Sequence, residues 1–217
     1  MNANAWVKVQ AVSSLLFVTF LLPHLVNVGI AVLGPESFNA FQQGLRTVYQ
    51  SPWVEWAILG SLLVHAVAGV VRLKQRGLSR NGTRQRVQLA AGLVLLAFFI
   101  GHVVATRGAS LMYDVYPQFE GIAFTFRWVP AWFWPYYLVF GLSGALHASL
   151  GLRVSFGVLA PRWGRWLTEW KIDWALSVVL CALTLAGVTA LGGLWFDVGQ
   201  PEHSAYAQLL RRLGMAP

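Results

Sequence analysis

The 217-residue chain has one cysteine, Cys181, and only eight acidic residues. A single thiol excludes an intramolecular disulfide framework, a Cys-x-x-Cys-His attachment and a cysteine-ligated cluster, so any metal must be held by other side chains. Charged residues make up 11% of the chain against 57% hydrophobic ones, and mean hydropathy is +0.57. That is too little charge to solvate a globular surface, and it places the chain among integral membrane proteins. The formal charge of +8 does not signal nucleic acid, because the bases sit in short loops between apolar runs and not on one soluble face. Lys8 precedes an apolar run too long for a signal-peptide core, with no small-residue cleavage site after it, so the first run reads as a retained helix.

What the chain does have is five apolar stretches near the roughly 20 residues that a span needs: residues 9–33, 53–73, 87–106, 132–156 and 174–195. They predict an all-α integral membrane bundle of five transmembrane helices, a single domain over 1–217. Arg72, Lys74, Arg76, Arg80, Arg84 and Arg86 gather around the second connection, and Arg153, Arg162, Arg165 and Lys171 around the fourth. With Lys8 these outnumber Arg46, Arg107, Arg127, Arg211 and Arg212 on the other side, so the positive-inside rule puts the N-terminus inside and the C-terminus outside. Of the outer connections, Phe38 to Tyr49 predicts a short surface helix capped by Ser37, and Gly108 to Pro130 an aromatic loop. In the outer tail, 197–217, Tyr206 to Leu213 predicts a short amphipathic helix on the surface. No internal repeat emerges from the sequence.

Four of the five histidines, His24, His65, His102 and His147, fall one on each of the first four spans; His203 is in the tail. An ionisable side chain at membrane depth is costly and is read as functional by default. At 1.5 Å per residue, His24 and His102 share a level roughly 20 Å from the inner ends, and His65 and His147 share another roughly 17–20 Å from the outer ends. Two imidazoles per level, on different helices, suit bis-histidine ligation of a flat macrocycle such as haem. Small residues would give such a plate room: Gly60, Ala66, Ala68 and Gly69 near His65, Gly101 beside His102, and Gly141, Ser143, Gly144, Ala148 and Gly151 around His147. Gly69 and Gly151 each follow a histidine by four residues, on its helical face, and are expected to pack on the haem. Propionates would need cations near the water interface: Arg72, Lys74 and Arg153 on the inner side, Arg46, Arg107 and Arg127 on the outer. Helix packing also uses small residues and lone histidines, but packing alone does not explain four histidines at two matched depths. Arg72 fits a topology anchor as well as a propionate partner. Ser13, Ser14 and Asn27 read as packing groups or cofactor contacts.

With these residues in place the chain resembles the cytochrome b membrane anchor of the succinate dehydrogenase/fumarate reductase family, in its single-chain, five-helix, dihaem form. The resemblance rests on one histidine in each of the first four spans, the segment His24-Leu-Val-Asn27 and the loop Gly34-Pro-Glu-Ser-Phe-Asn39. Histidine spacings of 41, 37 and 45 residues suit the same layout. It implies two haems b, with His65 and His147 as iron ligands of the proximal haem and His24 and His102 of the distal one. It also implies a flavoprotein with covalent FAD and an iron-sulfur subunit on the cytoplasmic side, neither encoded here. The expected setting is multi-pass in the bacterial inner membrane, in a respiratory chain joined to the tricarboxylic acid cycle. The resemblance is compatible with a dimer of the complex, and it implies that this subunit does the electron transfer and quinone chemistry, usually with menaquinone.

Quinone chemistry moves protons with electrons and wants an acid or histidine near an aqueous face. Glu36 and Glu55 are the outer candidates, with Asp114 and Glu120 behind them; Glu36 could equally stabilise a helix start and Glu55 be an interface charge. No Asp or Glu lies deep in the first four spans, so a membrane-crossing acidic relay finds no support. The competing readings are a dihaem cytochrome b of another dehydrogenase, of hydrogenase or formate dehydrogenase type, and a cofactor-free proton-coupled transporter.

Overall fold

The computed structural model describes residues 3–77 and 82–216; Arg80 of the basic connection lies outside them. All regular structure among them is helical. Five stretches are long and apolar enough to cross a membrane: Asn4–Leu33, Pro52–Gln75, Thr83–Tyr113, Pro130–Leu159 and Ile172–Leu191. Their long helices are α1 (Ala3–Ile30), α3 (Pro52–Arg76), α4 (Thr83–Val103), α7 (Pro130–Leu159) and α9 (Ile172–Leu191); between them lie α2 (Pro35–Tyr49), α5 (Ala109–Tyr113), α6 (Phe119–Trp128) and α8 (Pro161–Glu169), and α10 (Ala205–Arg212) follows. Four of the five stretches reach or run past the expected apolar limits, because hydrogen bonding carries a helix into polar flanks. The last is the exception: it stops at Leu191, where Gly192 and Gly193 end it, and not at Trp195.

Helix α1 packs against α3, α7 and α9, and α4 packs against α7. Close approach, not apolar burial, holds such helices together, since lipid tails are as apolar as leucine. A Cβ at Gly187 on α9 would collide with the Val28 carbonyl of α1, so the two backbones cross in contact there. Ser149 and Ser177 share a 2.7 Å hydrogen bond between α7 and α9, and Ser14 and Ser155 a 2.5 Å one between α1 and α7. Pairs of this kind contribute about 0.6 kcal/mol each. Exposed tryptophans collect at both ends of the bundle, with Trp53, Trp56 and Trp132 at one end and Trp163, Trp166, Trp170 and Trp174 at the basic end. Two such belts are what two membrane surfaces demand.

Three expectations for the connections change. The first connecting helix begins at Pro35 and not at Phe38, with Gly34 (φ 99°) as its N-cap; Ser37 lies inside it and donates to the Leu33 carbonyl. Proline suits a first helical position because its missing N–H would have no partner there. The aromatic loop 108–130 is largely helical, as α5 and α6, and it seats Phe119, Phe124 and Phe126 in buried clusters. The tail helix α10 has its Ser204 cap, accepting from the Ala207 N–H, but it does not lie free on the surface. Tyr206, Ala207, Leu209 and Leu210 are buried with Phe124 and Ala109.

Candidate haem-binding site

Helices α1, α3, α4 and α7, with residues of α2, α6 and α9, line a partly open cavity of about 820 Å³ that all four histidines of the spans border. The rings meet in two facing pairs. Those of His24 and His102 have centroids 6.0 Å apart and those of His65 and His147 5.8 Å apart, each pair steeply inclined. An imidazole nitrogen binds a metal at about 2 Å and the ring centroid lies roughly 1 Å behind it, so two rings on one axial metal stand about 6 Å apart. Both pairs have the separation that one shared ion requires. Among the described residues no group of three or more His, Cys, Asp or Glu gathers around a point. Two imidazoles alone leave a four-coordinate or six-coordinate metal needing further donors, and a porphyrin supplies four in one plane.

The second nitrogen of each ring shows how the site is oriented. His65 Nδ1 lies 3.3 Å from the Gln10 carbonyl oxygen, and His147 Nδ1 lies 3.0 Å from that of Gln88. A carbonyl can only accept, so Nδ1 carries the proton in both and donates it, leaving the Nε2 lone pair free for a metal. His102 Nδ1 is 3.2 Å from the Tyr136 hydroxyl, while His24 is held by stacking on Phe20, centroid to centroid 5.5 Å. That stack has a backbone cause. Pro23 lacks the N–H that would bond the Thr19 carbonyl, and the Tyr49 hydroxyl from α2 donates to it at 2.8 Å while its ring meets Phe20 edge-on. Burial pushes the Tyr49 phenol pKa up and keeps the donor protonated.

The arrangement repeats, contrary to the reading that the chain has no internal repeat. Gln10 precedes His24 by 14 residues and Gln88 precedes His102 by 14, with Phe20 and Phe98 four before each histidine. On the partner helices, Ser61-His65-Ala66-Gly69 matches Ser143-His147-Ala148-Gly151. A Cβ added at Gly69 would meet Gln10 Nε2 at 3.2 Å, and one at Gly151 would meet Gln88 Nε2 at 3.4 Å. The pair α1 and α3 thus corresponds to α4 and α7 in residue spacing and in the carbonyl each histidine meets. Fourteen residues of helix separate the two levels by about 21 Å. Gln10, Gln88, Tyr136 and Gly92 escaped the sequence reading; the 14-residue glutamine-to-histidine spacing is the signal that could have found the first two.

Of the cationic candidates, Arg72, Arg46 and Arg107 line the cavity, Arg72 at the basic end and donating to the Gln10 side-chain carbonyl. Lys74 is not among its lining residues. Arg153 faces a separate pocket and donates to Thr168 Oγ1 at 2.9 Å. Arg127 pairs with Glu202 at 3.4 Å on the exposed surface. Of the acidic ones, Glu55 borders the cavity and grips Arg107 in a bidentate pair, 2.5 Å and 2.7 Å, whereas Glu36 is exposed in the first turn of α2, away from it. Arg107 lies on a single π-helical turn, Val104–Gly108, directly after His102's helix. Asn27 Oδ1 is buried at the cavity wall with no hydrogen-bond partner among the described residues, a polar atom that a bound group or water would satisfy. Ser14 lines the same cavity, and Ser13 bonds the Val9 and Gln10 carbonyls. Asp114 is exposed, and Glu120 accepts from Asn39 Nδ2 at 3.4 Å.

No protein-family model matches the chain, and no curated protein matches it. The chemistry of the site has to be read from its own residues.

Proposed function

We propose that the chain is a dihaem cytochrome b, the membrane anchor of a succinate:quinone or quinol:fumarate oxidoreductase, relaying electrons between an iron-sulfur subunit and membrane quinone. The observation that carries the haem reading is the pairing of the four histidines at about 6 Å within one apolar cavity. His65 and His147 would hold one haem b at the basic end, and His24 and His102 the other. Haem supplies one-electron transfer when bound. The protein's part is positional: the Gln10 and Gln88 carbonyls aim two imidazoles, Tyr136 and Phe20 aim the other two, and the leucine- and valine-rich wall keeps water out. Arg72 at one end and Arg46 and Arg107 at the other suit propionates.

Glu55 is the preferred quinone-side acid, because it borders the cavity at the end away from the basic loops while Glu36 does not. Its carboxylate would take the proton from a quinol hydroxyl and hand it to water, and Arg107 would hold it in place. The positive-inside rule puts the basic end, with Arg72, Arg84, Arg153 and Arg165, in the cytoplasm, where the flavoprotein and iron-sulfur subunits would dock. The N-terminus is then inside and the C-terminus outside, in a bacterial inner membrane, and menaquinone is the expected quinone.

The reduced-minus-oxidised absorption spectrum of the purified chain tests the haem reading, with two haems b expected per polypeptide. A chain without haem sinks it. Co-purification of a covalent flavoprotein and an iron-sulfur protein tests the dehydrogenase assignment, and co-purification of a hydrogenase or formate dehydrogenase subunit instead would replace it.

A further inference from the structure

A second pocket, of about 440 Å³, opens at the basic end between α4, α7 and α8; no histidine lines it, and it shares Gln85, Gln88 and Val154 with the histidine-lined cavity. Its rim carries Arg84, Arg153 and Arg165, with Thr168 and Glu169, and its wall runs down to Leu150 and Val154 on α7. Helix α8 folds back as the outer wall because Gly164 sits on the backbone of Gly157: a Cβ on Gly164 would stand 2.5 Å from the Gly157 Cα. Behind the rim, Asp173 of α9, its side chain 1% exposed, accepts from Arg84 at 2.9 Å and stands 3.8 Å from Arg153. One carboxylate therefore fixes two guanidinium groups that also face the pocket, and Arg165 has no ion pair or hydrogen bond among the described residues. Three arginines against Asp173 and Glu169 leave the rim with net positive charge.

From these features we propose that the pocket binds the phosphate of an anionic phospholipid, with an acyl chain lying along Leu150 and Val154. A cationic rim above an apolar wall matches a molecule with an anionic head and a hydrocarbon tail, and arginine forks suit phosphate oxygens. The depth agrees. Trp163, Trp166, Trp170 and Trp174 are exposed on α8, the turn after it and the start of α9, beside the pocket, which is where tryptophan settles at a membrane surface. A docked protein would not need the apolar wall, and free phosphate would leave it empty. The inference rests on the five helices being membrane spans and not on haem.

Native mass spectrometry of the whole chain, released from detergent and titrated with phosphatidylglycerol, phosphatidylcholine or inorganic phosphate, tests it. Arg165→Glu is the informative variant because it leaves the Asp173 cluster intact, and Arg212→Glu in the tail is the charge-matched control. The wild type and Arg212→Glu should retain phosphatidylglycerol roughly tenfold better than phosphatidylcholine, and Arg165→Glu should lose that preference. Equal retention of both lipids by the wild type overturns the proposal, as does a preference that survives Arg165→Glu. Displacement of the lipid by millimolar inorganic phosphate would also overturn it, by making the site one for free phosphate. Haem content measured on the same samples keeps this outcome separate from the cytochrome reading: Arg165→Glu should leave it unchanged.

Discussion

The imidazole of His147 rests on Gly92, where a Cβ would stand 2.8 Å from the ring's Cε1 and 3.0 Å from its Nδ1. The glycine is what lets the ring reach the Gln88 carbonyl one turn earlier on α4. Gly92→Val should push the ring off that carbonyl and lower haem from two to about one per chain while the far-ultraviolet helix signal persists. Gly101, beside His102, is the control: a Cβ there meets nothing within 4 Å. Gly101→Ala should keep both haems, so equal losses in the two variants would show that Gly92 has no special relation to the site.

The pairing makes a prediction about additivity. If His24 and His102 share one ligand, removing either removes it, and the second removal costs nothing more. His24→Ala and the double variant His24→Ala/His102→Ala should each retain about one haem, whereas His24→Ala/His65→Ala should retain none. Haem counted by pyridine haemochrome decides this. Four single variants that each lose both haems would point to one cooperative site in place of two levels.

Glu55 and Arg107 tie α3 to the π turn after α4 across the cavity mouth. Both side chains are 22% exposed, which puts the pair between a surface bridge worth under about 1 kcal/mol and a buried one. Glu55→Gln keeps the shape and removes the base. Quinol-driven reduction of the haems should fall by about 100-fold, within the range for losing a positioned proton acceptor, with haem content unchanged. Unaltered turnover in stopped-flow measurements would remove Glu55 from the quinone site.

The parts of this site that could be read from the sequence were those whose cost depends on residue type. A histidine at membrane depth is expensive wherever it points, and a constant helical rise converts residue number into depth, so four histidines fall into two levels without coordinates. Gln10 and Gln88 act through backbone carbonyls that any residue would offer, so their type carries little signal. Gly92 looks like any packing glycine until His147 is seen against it. The segments α5 and α6 are short, so no periodicity announced them, whereas α10 was legible as an amphipathic helix and only its burial against Phe124 and Ala109 was not. Asp173 was missed because its partners, Arg84 and Arg153, lie 89 and 20 residues away and read as topology charges.

Tyr206 links the tail to the His102 helix, and its titration offers a test. Its hydroxyl donates to the Ala105 carbonyl in the π turn at 3.0 Å, and Gly121 makes room for it, since a Cβ there would meet the Tyr206 Cβ at 2.8 Å. Burial raises the phenol pKa above its ordinary value of 10.0. The folded state therefore holds this proton more tightly than the unfolded one. The resulting stability is fully present below the unfolded pKa of about 10 and is lost as pH rises through the folded value. Tyr206→Phe keeps the packing and removes both the hydrogen bond and the titration, so near pH 8 it should be less stable than wild type by about 1 kcal/mol. At a pH above the raised folded value the wild type must bury a phenolate or release the tail, and the gap should close or reverse. Unfolding in detergent followed at both pH values measures it. A gap that stays constant would mean that Tyr206 does not titrate with unfolding and that the tail is held by Leu209 and Leu210 alone.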